Sequence, residues 1–264
     1  MRFDELDLED EILDGLYDMN FHEMTPVQEK TIPVILEGRD IIGCAQTGTG
    51  KTAAYTLPLL NKLLIEGNPD NVVKSLIIVP TRELAQQIDQ QFQGFSYYLP
   101  VSTTVVYGGG DGKGWDIQKN GMLNGADVVI ATPGRMIAHL QNSGVDLSHV
   151  EYLILDEADR MLDMGFIHDV TRILDKLASR RNLGMFSATI SQEVMTVSWM
   201  YQRDEVEITV APTEESKPDI DQYSITVPRL EKEEAMLRIL RSGALERVIV
   251  FCNTKVMCQR LSDD

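Results

Sequence analysis

Short apolar runs recur along the chain, each followed by a longer stretch with apolar residues at helical spacing. Ile, Val and Leu concentrate at 40–44, 75–80, 103–107, 127–131, 152–155 and 184–186. These runs are continuous rather than alternating, which is how strands covered on both faces read. Strand and helix in repeated alternation predict an α/β fold, a parallel sheet with helices on both faces. The pattern breaks at 211–219, APTEESKPD, where two prolines and several charges replace large apolar residues, so an exposed connector is expected there. It resumes with an expected strand at 222–227, a helix at 232–242, a strand at 247–252 and the start of another helix. Roughly 45 residues cannot complete an α/β domain covered on both faces. The expected organisation is therefore one domain over 1–209, a connector over 210–220 and an incomplete second domain over 221–264.

Composition narrows this picture. At 264 residues, 43% hydrophobic and 25% charged, the chain is neither disordered nor fibrous. No apolar run approaches the roughly 20 residues that span a bilayer, so no membrane segment is expected. The first residues, MRFDELDLEDE, are acidic where a secretory signal would be basic and then apolar. Three cysteines, Cys44, Cys252 and Cys258, lack metal-ligand spacing and suit a reducing compartment, so a cytoplasmic location is expected. The net charge of −17 argues against a nucleic-acid partner when the chain is taken whole. Nine acidic residues and one arginine stand within the first 23 positions, however, whereas 24–200 hold 19 acids and 14 bases. The long middle of the chain is nearly balanced.

The strongest chemical signal is Ala45-Gln46-Thr47-Gly48-Thr49-Gly50-Lys51-Thr52, placed between the apolar run DIIGC and the helix-compatible KTAAYTLPLL. Glycines let successive backbone N–H groups face phosphate oxygens, and the following helix N-terminus adds partial positive charge. Lys51 would reach the β- and γ-phosphates and the Thr52 hydroxyl would ligate Mg²⁺. Ala45 stands where a leading glycine is usual. A second acidic element is needed to hold the metal, and Asp156-Glu157 follows the apolar run YLIL. Asp156 would hold Mg²⁺ through water, and Glu157 would orient or deprotonate the attacking water. Asp156, Glu157 and Asp159 would also favour the start of the next helix by dipole attraction, a weak effect. The two halves together predict an Mg²⁺-dependent nucleotide-hydrolysing site.

Asp156-Glu157-Ala158-Asp159 also spells the motif of the DEAD-box RNA helicases, and the chain resembles the first lobe of that family along nearly its whole length. Asn20 to Gln28, NFHEMTPVQ, resembles the adenine-reading Q motif, with Phe21, Thr25 and Gln28 at its nucleotide-binding positions and Phe3 as the upstream aromatic. Thr81-Arg82 within PTRELA, Gly108-Gly109 and Thr132-Pro133-Gly134-Arg135 resemble the elements that line the RNA path. Ser187-Ala188-Thr189, with Asp159, resembles the set that couples hydrolysis to RNA separation. Residues 248–254, VIVFCNT, resemble the opening of the second lobe. The resemblance implies a RecA-like P-loop NTPase fold followed by a truncated second RecA-like lobe. It implies ATP and Mg²⁺ as cofactors, ADP as a further ligand, sequence-independent RNA contact through the backbone, and ribonucleoprotein assemblies as partners. It also implies that these residues alone bind nucleotide yet turn it over poorly and do not unwind RNA; the charge balance predicts that they bind RNA weakly. The rival readings are an ATP-switched RNA clamp or scaffold without productive unwinding, and a DNA translocase on the same core.

Two further departures stand out. Asn20 replaces a glycine, a mild change because asparagine tolerates positive φ. The stretch from Gly110 to Asp116 is two or three residues longer than usual. Within it Trp115 beside Lys113 suits either base stacking or cover for local apolar surface. The four histidines are scattered and carry no expected metal or catalytic role.

Overall fold

The computed structural model describes residues 1–68, 72–109, 112–177, 180–211, 220–221, 223–228, 231–241 and 247–263. It divides into two compact units, Met1–Ser216 and Lys217–Asp264. The first unit holds a seven-stranded sheet: β1 (Ile41–Cys44), β2 (Ser75–Ile78), β3 (Thr103–Val106), β4 (Val128–Ala131), β5 (Tyr152–Leu155), β6 (Asn182–Ser187) and β7 (Val206–Thr209). The spatial order is β3-β4-β2-β5-β6-β1-β7, and every neighbouring pair is parallel. Helices α1 (Asp10–Asp18), α2 (Pro26–Leu36), α3 (Lys51–Glu66), α4 (Arg82–Phe95), α5 (Gly112–Leu123), α6 (Pro133–Asn142), α7 (Ala158–Asp163), α8 (Ile167–Leu174) and α9 (Gln192–Tyr201) surround it.

The continuous apolar runs are explained by two hydrophobic clusters, one on each face. Ile77, Ile130, Ile154 and Phe186 join one cluster with α1 to α4, whereas Leu76, Val129, Leu153 and Met185 join the other with α6 to α9. Successive strand residues point to opposite faces, so a strand covered twice is apolar at every position. The fold expected from the sequence, an α/β parallel sheet with helices on both faces, is the one observed. The strand β7 carries no such run: VEIT lies at the sheet edge beside β1 and is half exposed at alternate positions.

Two polar side chains fasten β1 to its neighbours. Asp40 accepts hydrogen bonds from the N–H groups of Leu183 (2.7 Å) and Arg203 (2.8 Å). Gln202 Nε2 donates to the carbonyls of Ile41 and Leu183, each at 2.9 Å. Burial pushes the Asp40 carboxyl up, and the two N–H bonds oppose it.

Gly43 leaves room for the Phe186 ring, since a Cβ there would stand 2.8 Å from two ring carbons. Gly43→Ala is therefore expected to lower the unfolding free energy by about 1–3 kcal/mol through overpacking. A urea melt checks this: the midpoint falls while the slope is unchanged.

In the second unit, α10 (Lys232–Arg241) and α11 (Lys255–Asp263) form, joined by an Arg260–Glu233 ion pair at 2.9 Å. The strands expected at 222–227 and 247–252 lie within the described residues except for Gln222, which lies outside them. Their described residues run without strand pairing, although Val227 and Val250 line a cavity with Met236 and Ile239 of α10. Two short segments with no sheet to join are marginal as strands. The connector expected at 211–219 lies, apart from Ala211, outside the described residues. Among the described residues, no helix is long and apolar enough to cross a membrane.

Candidate nucleotide and nucleic-acid site

Because the seven strands are parallel, their C-terminal ends share one edge, where open α/β sheets bind ligands. The strand order sorts the candidate residues along that edge. β5, β6 and β1 are adjacent and are followed by Asp156-Glu157, by Ser187-Ala188-Thr189 and by the 45–52 loop. β3, β4 and β2 are adjacent and are followed by Gly108-Gly109, by Thr132 to Arg135 and by Thr81-Arg82.

The 45–52 loop turns through Gly48 (φ 81°) and Gly50 (φ 91°), both left-handed, and runs directly into α3. A cleft of about 910 Å³ opens against it, lined by Thr47, Gly48, Gly50, Lys51 and Thr52, by Phe21, Thr25 and Gln28, and by Asp156 and Glu157. Gln46 and Thr49 do not line the cleft. They close the loop tip, the Thr49 hydroxyl donating to the Gln46 carbonyl at 2.7 Å. Lys51 is 7% exposed, and its Nζ donates to the Ala45 carbonyl at 2.7 Å.

Gln28 ties the Q-motif segment to this loop. Its Oε1 accepts from the Thr25 N–H at 2.9 Å, and its Nε2 donates to the Gly50 carbonyl at 3.1 Å. One amide hydrogen and one lone pair are left for a ligand. A Cβ on Gly50 would stand 2.5 Å from Gln28 Nε2, so a larger residue there would displace the Gln28 amide as well as strain a backbone at φ 91°. Asn20 adopts φ 60°, a left-handed conformation that asparagine tolerates. Phe3 is buried in the core and does not line the cleft.

Asp156 is 3% exposed, with one hydrogen bond on each oxygen: Oδ1 accepts from the Glu157 N–H and Oδ2 from the Tyr55 hydroxyl, both at 2.9 Å. Burial pushes its carboxyl up, while the Tyr55 bond and the Lys51 charge favour the ionised form. Glu157 sits at φ 49°, a left-handed conformation that costs a non-glycine residue about 1–3 kcal/mol and clusters at functional sites. Its Oε2 pairs with Arg160 at 2.9 Å.

Asp159 meets the 187–189 loop directly. Its Oδ2 accepts from the Thr189 N–H (2.9 Å) and hydroxyl (2.7 Å), and its own N–H donates to Ser187 Oγ (3.1 Å). Burial works to raise the Asp159 pKa, but the bonds from Thr189 and Ser187 and two backbone N–H groups hold it below the usual carboxylate value. The Ala188 carbonyl accepts from Cys44 Sγ at 3.4 Å, and the Ala45 N–H donates to the Ser187 carbonyl at 3.0 Å. The phosphate-type loop, the acidic pair and the 187–189 loop thus form one bonded unit.

On the other half of the edge, Thr81 caps α4, its hydroxyl accepting from the Leu84 N–H at 3.3 Å. The exposed Arg82 guanidinium lies 4.7 Å from the Tyr107 ring centre, beside Gly108 and Gly109, both exposed, the latter at φ 92°. Thr132 is the N-cap of α6, Pro133 opens the helix, and Gly134 is exposed. Arg135 is half-buried. Its Nε donates to Gln118 Oε1 at 2.8 Å, and its guanidinium lies 4.5 Å from the Trp115 ring centre. Trp115 stacks on His139 with centroids 3.8 Å apart and planes 18° apart, so it packs on its own fold. Burial, then the Arg135 and Lys119 charges, push the His139 imidazole down to about 4, leaving it neutral near pH 7. Gly110 and Asp111 lie outside the described residues.

Sequence reasoning passed over Tyr55 and Gln118. Tyr55 offered one signal, a phenol in an otherwise apolar helical stripe, since buried tyrosines usually find a polar partner.

A parallel sheet with a glycine-bounded phosphate-type loop leading into a helix, and an acidic pair two strands away, defines the class of P-loop NTPases with a RecA-like core. Residues 25–197 match the family model described as DEAD/DEAH box helicase, and the chain belongs to that family. It is 38% identical over 262 residues to the ATP-dependent RNA helicase DeaD of Mycobacterium tuberculosis, covering 99% of this chain and 45% of that one. It is 40% identical over 261 residues to the ATP-dependent RNA helicase CshA of Listeria monocytogenes, covering 99% and 49%. Among solved structures, a DEAD box protein from the hyperthermophile Methanococcus jannaschii superposes with a TM-score of 0.73 at 34% identity, covering 100% of this chain and 69% of that one. A hypothetical ATP-dependent RNA helicase from Sulfolobus tokodaii gives 0.70 at 37% identity, covering 77% and 57%. The chain spans about half the length of the relatives DeaD and CshA.

Proposed function

We propose that this chain is the ATP-binding part of an ATP-dependent RNA helicase of DEAD-box type, with a first lobe over 1–209, a connector over 210–220 and the opening of a second lobe over 221–264. The observation that carries this reading is the bonded unit joining the 45–52 loop, Asp156 to Asp159 and Ser187 to Thr189, on the edge that also bears the Arg82 and Arg135 loops. Lys51 and the loop N–H groups hold the triphosphate, and Gln28 with its free amide hydrogen and lone pair reads adenine.

Thr52 and Asp156 fit Mg²⁺. Both are hard oxygen donors, and each Asp156 oxygen takes one hydrogen bond in the structure, which leaves lone pairs for a metal-bound water. When bound, Mg²⁺ neutralises charge on the β- and γ-phosphates. Glu157 orients the attacking water and takes its proton. Asp159 transmits the state of the acidic pair to the 187–189 loop by the bonds it makes to Ser187 and Thr189. Arg82, Arg135 and the Thr81, Gly108, Gly109, Thr132, Pro133 and Gly134 backbone and hydroxyl groups contact RNA sugar and phosphate, which positions a strand without reading its bases. A reducing, cytoplasmic setting and ribonucleoprotein partners complete the proposal.

Titration of fluorescent ATP and GTP analogues in Mg²⁺ tests it. ATP is expected to bind at least about tenfold more tightly than GTP, and Gln28→Ala to erase most of that difference, about the cost of leaving a recognition pair unmade. Equal binding of the two nucleotides, or no binding of either, overturns the reading.

A further inference from the structure

Tyr55 is a buried polar group that the chemistry above does not use. It is 0% exposed on α3, its ring packs on Phe186 at 5.0 Å between centroids, and its hydroxyl donates to Asp156 Oδ2 at 2.9 Å across 101 residues of sequence. A phenylalanine would fill the same space, so the hydroxyl adds nothing to packing. It adds the second of two donors on one carboxylate, the first being the Glu157 N–H on Oδ1. Two donors on different oxygens fix the plane of a carboxylate, and outer-shell hydrogen bonds around a metal site typically account for about 10–100-fold in metal affinity. Tyr55 does not line the cleft; it reaches the site through Asp156 and through the Thr52 hydroxyl, which also bonds to its phenol oxygen.

We infer that Tyr55 is a positioning residue: its hydroxyl holds the Asp156 carboxylate in the plane that takes Mg²⁺, and so sets the Mg²⁺ concentration at which nucleotide is held. This rests on the proposed role of Thr52 and Asp156 as the metal-holding pair.

The test is a Mg²⁺ titration of N-methylanthraniloyl-ADP fluorescence, starting from EDTA, on the chain, on Tyr55→Phe, on Asp156→Asn and on the double variant. Tyr55→Phe is expected to bind the nucleotide unchanged in EDTA but to need about tenfold more Mg²⁺ for half-saturation. In the Asp156→Asn background the same substitution is expected to shift the requirement by far less than tenfold, because only the bond with Thr52 then links Tyr55 to the metal-holding pair. Tyr55→Met, which lacks the donor in a different shape, is expected to give the same shift. An unchanged Mg²⁺ requirement in Tyr55→Phe, or an equal shift with Asp156→Asn already present, overturns the inference alone. A parent chain whose nucleotide binding ignores Mg²⁺ overturns the metal-holding pair itself, and the inference with it.

Discussion

Glu157→Gln is expected to slow single-turnover ATP hydrolysis by about 10²–10⁴-fold, the usual contribution of a general base, while Mg²⁺·ATP binding stays intact. The side chain is half-buried, follows the metal-holding Asp156, and is held by Arg160 through Oε2 at 2.9 Å. Its backbone at φ 49° is the one described non-glycine position on the cleft, besides Asn20, that sits in the left-handed region. Glutamine keeps the shape and can still accept from Arg160, but it cannot take a proton from water. Binding therefore survives and chemistry does not. Single turnover with protein in excess reads even slow hydrolysis. A variant that hydrolyses at the parent rate would remove Glu157 from the proposed role, and a parallel loss of binding would reassign it to nucleotide affinity.

Lys51→Ala is expected to weaken Mg²⁺·ATP binding by about 10–100-fold, because a hydrogen bond to a charged group is worth about 1.5–3 kcal/mol. The ammonium is buried at the start of α3 and donates to the Ala45 carbonyl at 2.7 Å, so it is already held at the mouth of the glycine loop. Phosphate oxygens would replace a neutral carbonyl with a charged acceptor, a stronger partner for the same donor. Isothermal titration of ATP measures the loss, and a thermal melt run alongside separates it from unfolding. Lys51→Arg is expected to fail as a rescue, since a planar fork does not replace a compact point charge in a loop of this size. Undiminished ATP affinity in the alanine variant would show that the loop N–H groups suffice by themselves.

The contrast between these two residues and Tyr55 shows what kind of information sequence carries. Lys51 and Glu157 were legible because each sits in a short run whose neighbours define its chemistry: glycines before the lysine, an apolar strand before the acidic pair. Tyr55 was not, because its partner is 101 residues away and nothing near it in sequence indicates a carboxylate. The same holds for Trp115. Its base-stacking reading depended on a free ring face, and the structure places that ring on His139 with the Arg135 guanidinium beside it. The strand β7 escaped notice for a different reason: VEIT alternates apolar with polar residues and none of its positions is buried, so it lacks the apolar run of the central strands, whereas β3 at the opposite edge still shows adjacent valines, the second of them buried.

By itself, the sequence determined six of the seven sheet strands, the α/β class and the local chemistry of the loops, since these depend on periodicity and on residues adjacent in the chain. Only the tertiary structure decided the order β3-β4-β2-β5-β6-β1-β7, which gathers the nucleotide loops on one half of the sheet edge and the Arg82 and Arg135 loops on the other. It alone decided that Asp159 bonds Thr189 across 30 residues and that Tyr55 bonds Asp156. Parallel strands need crossovers of a dozen residues or more, so which loops become neighbours is settled by how the helices pack on the two faces, and no local pattern records that choice.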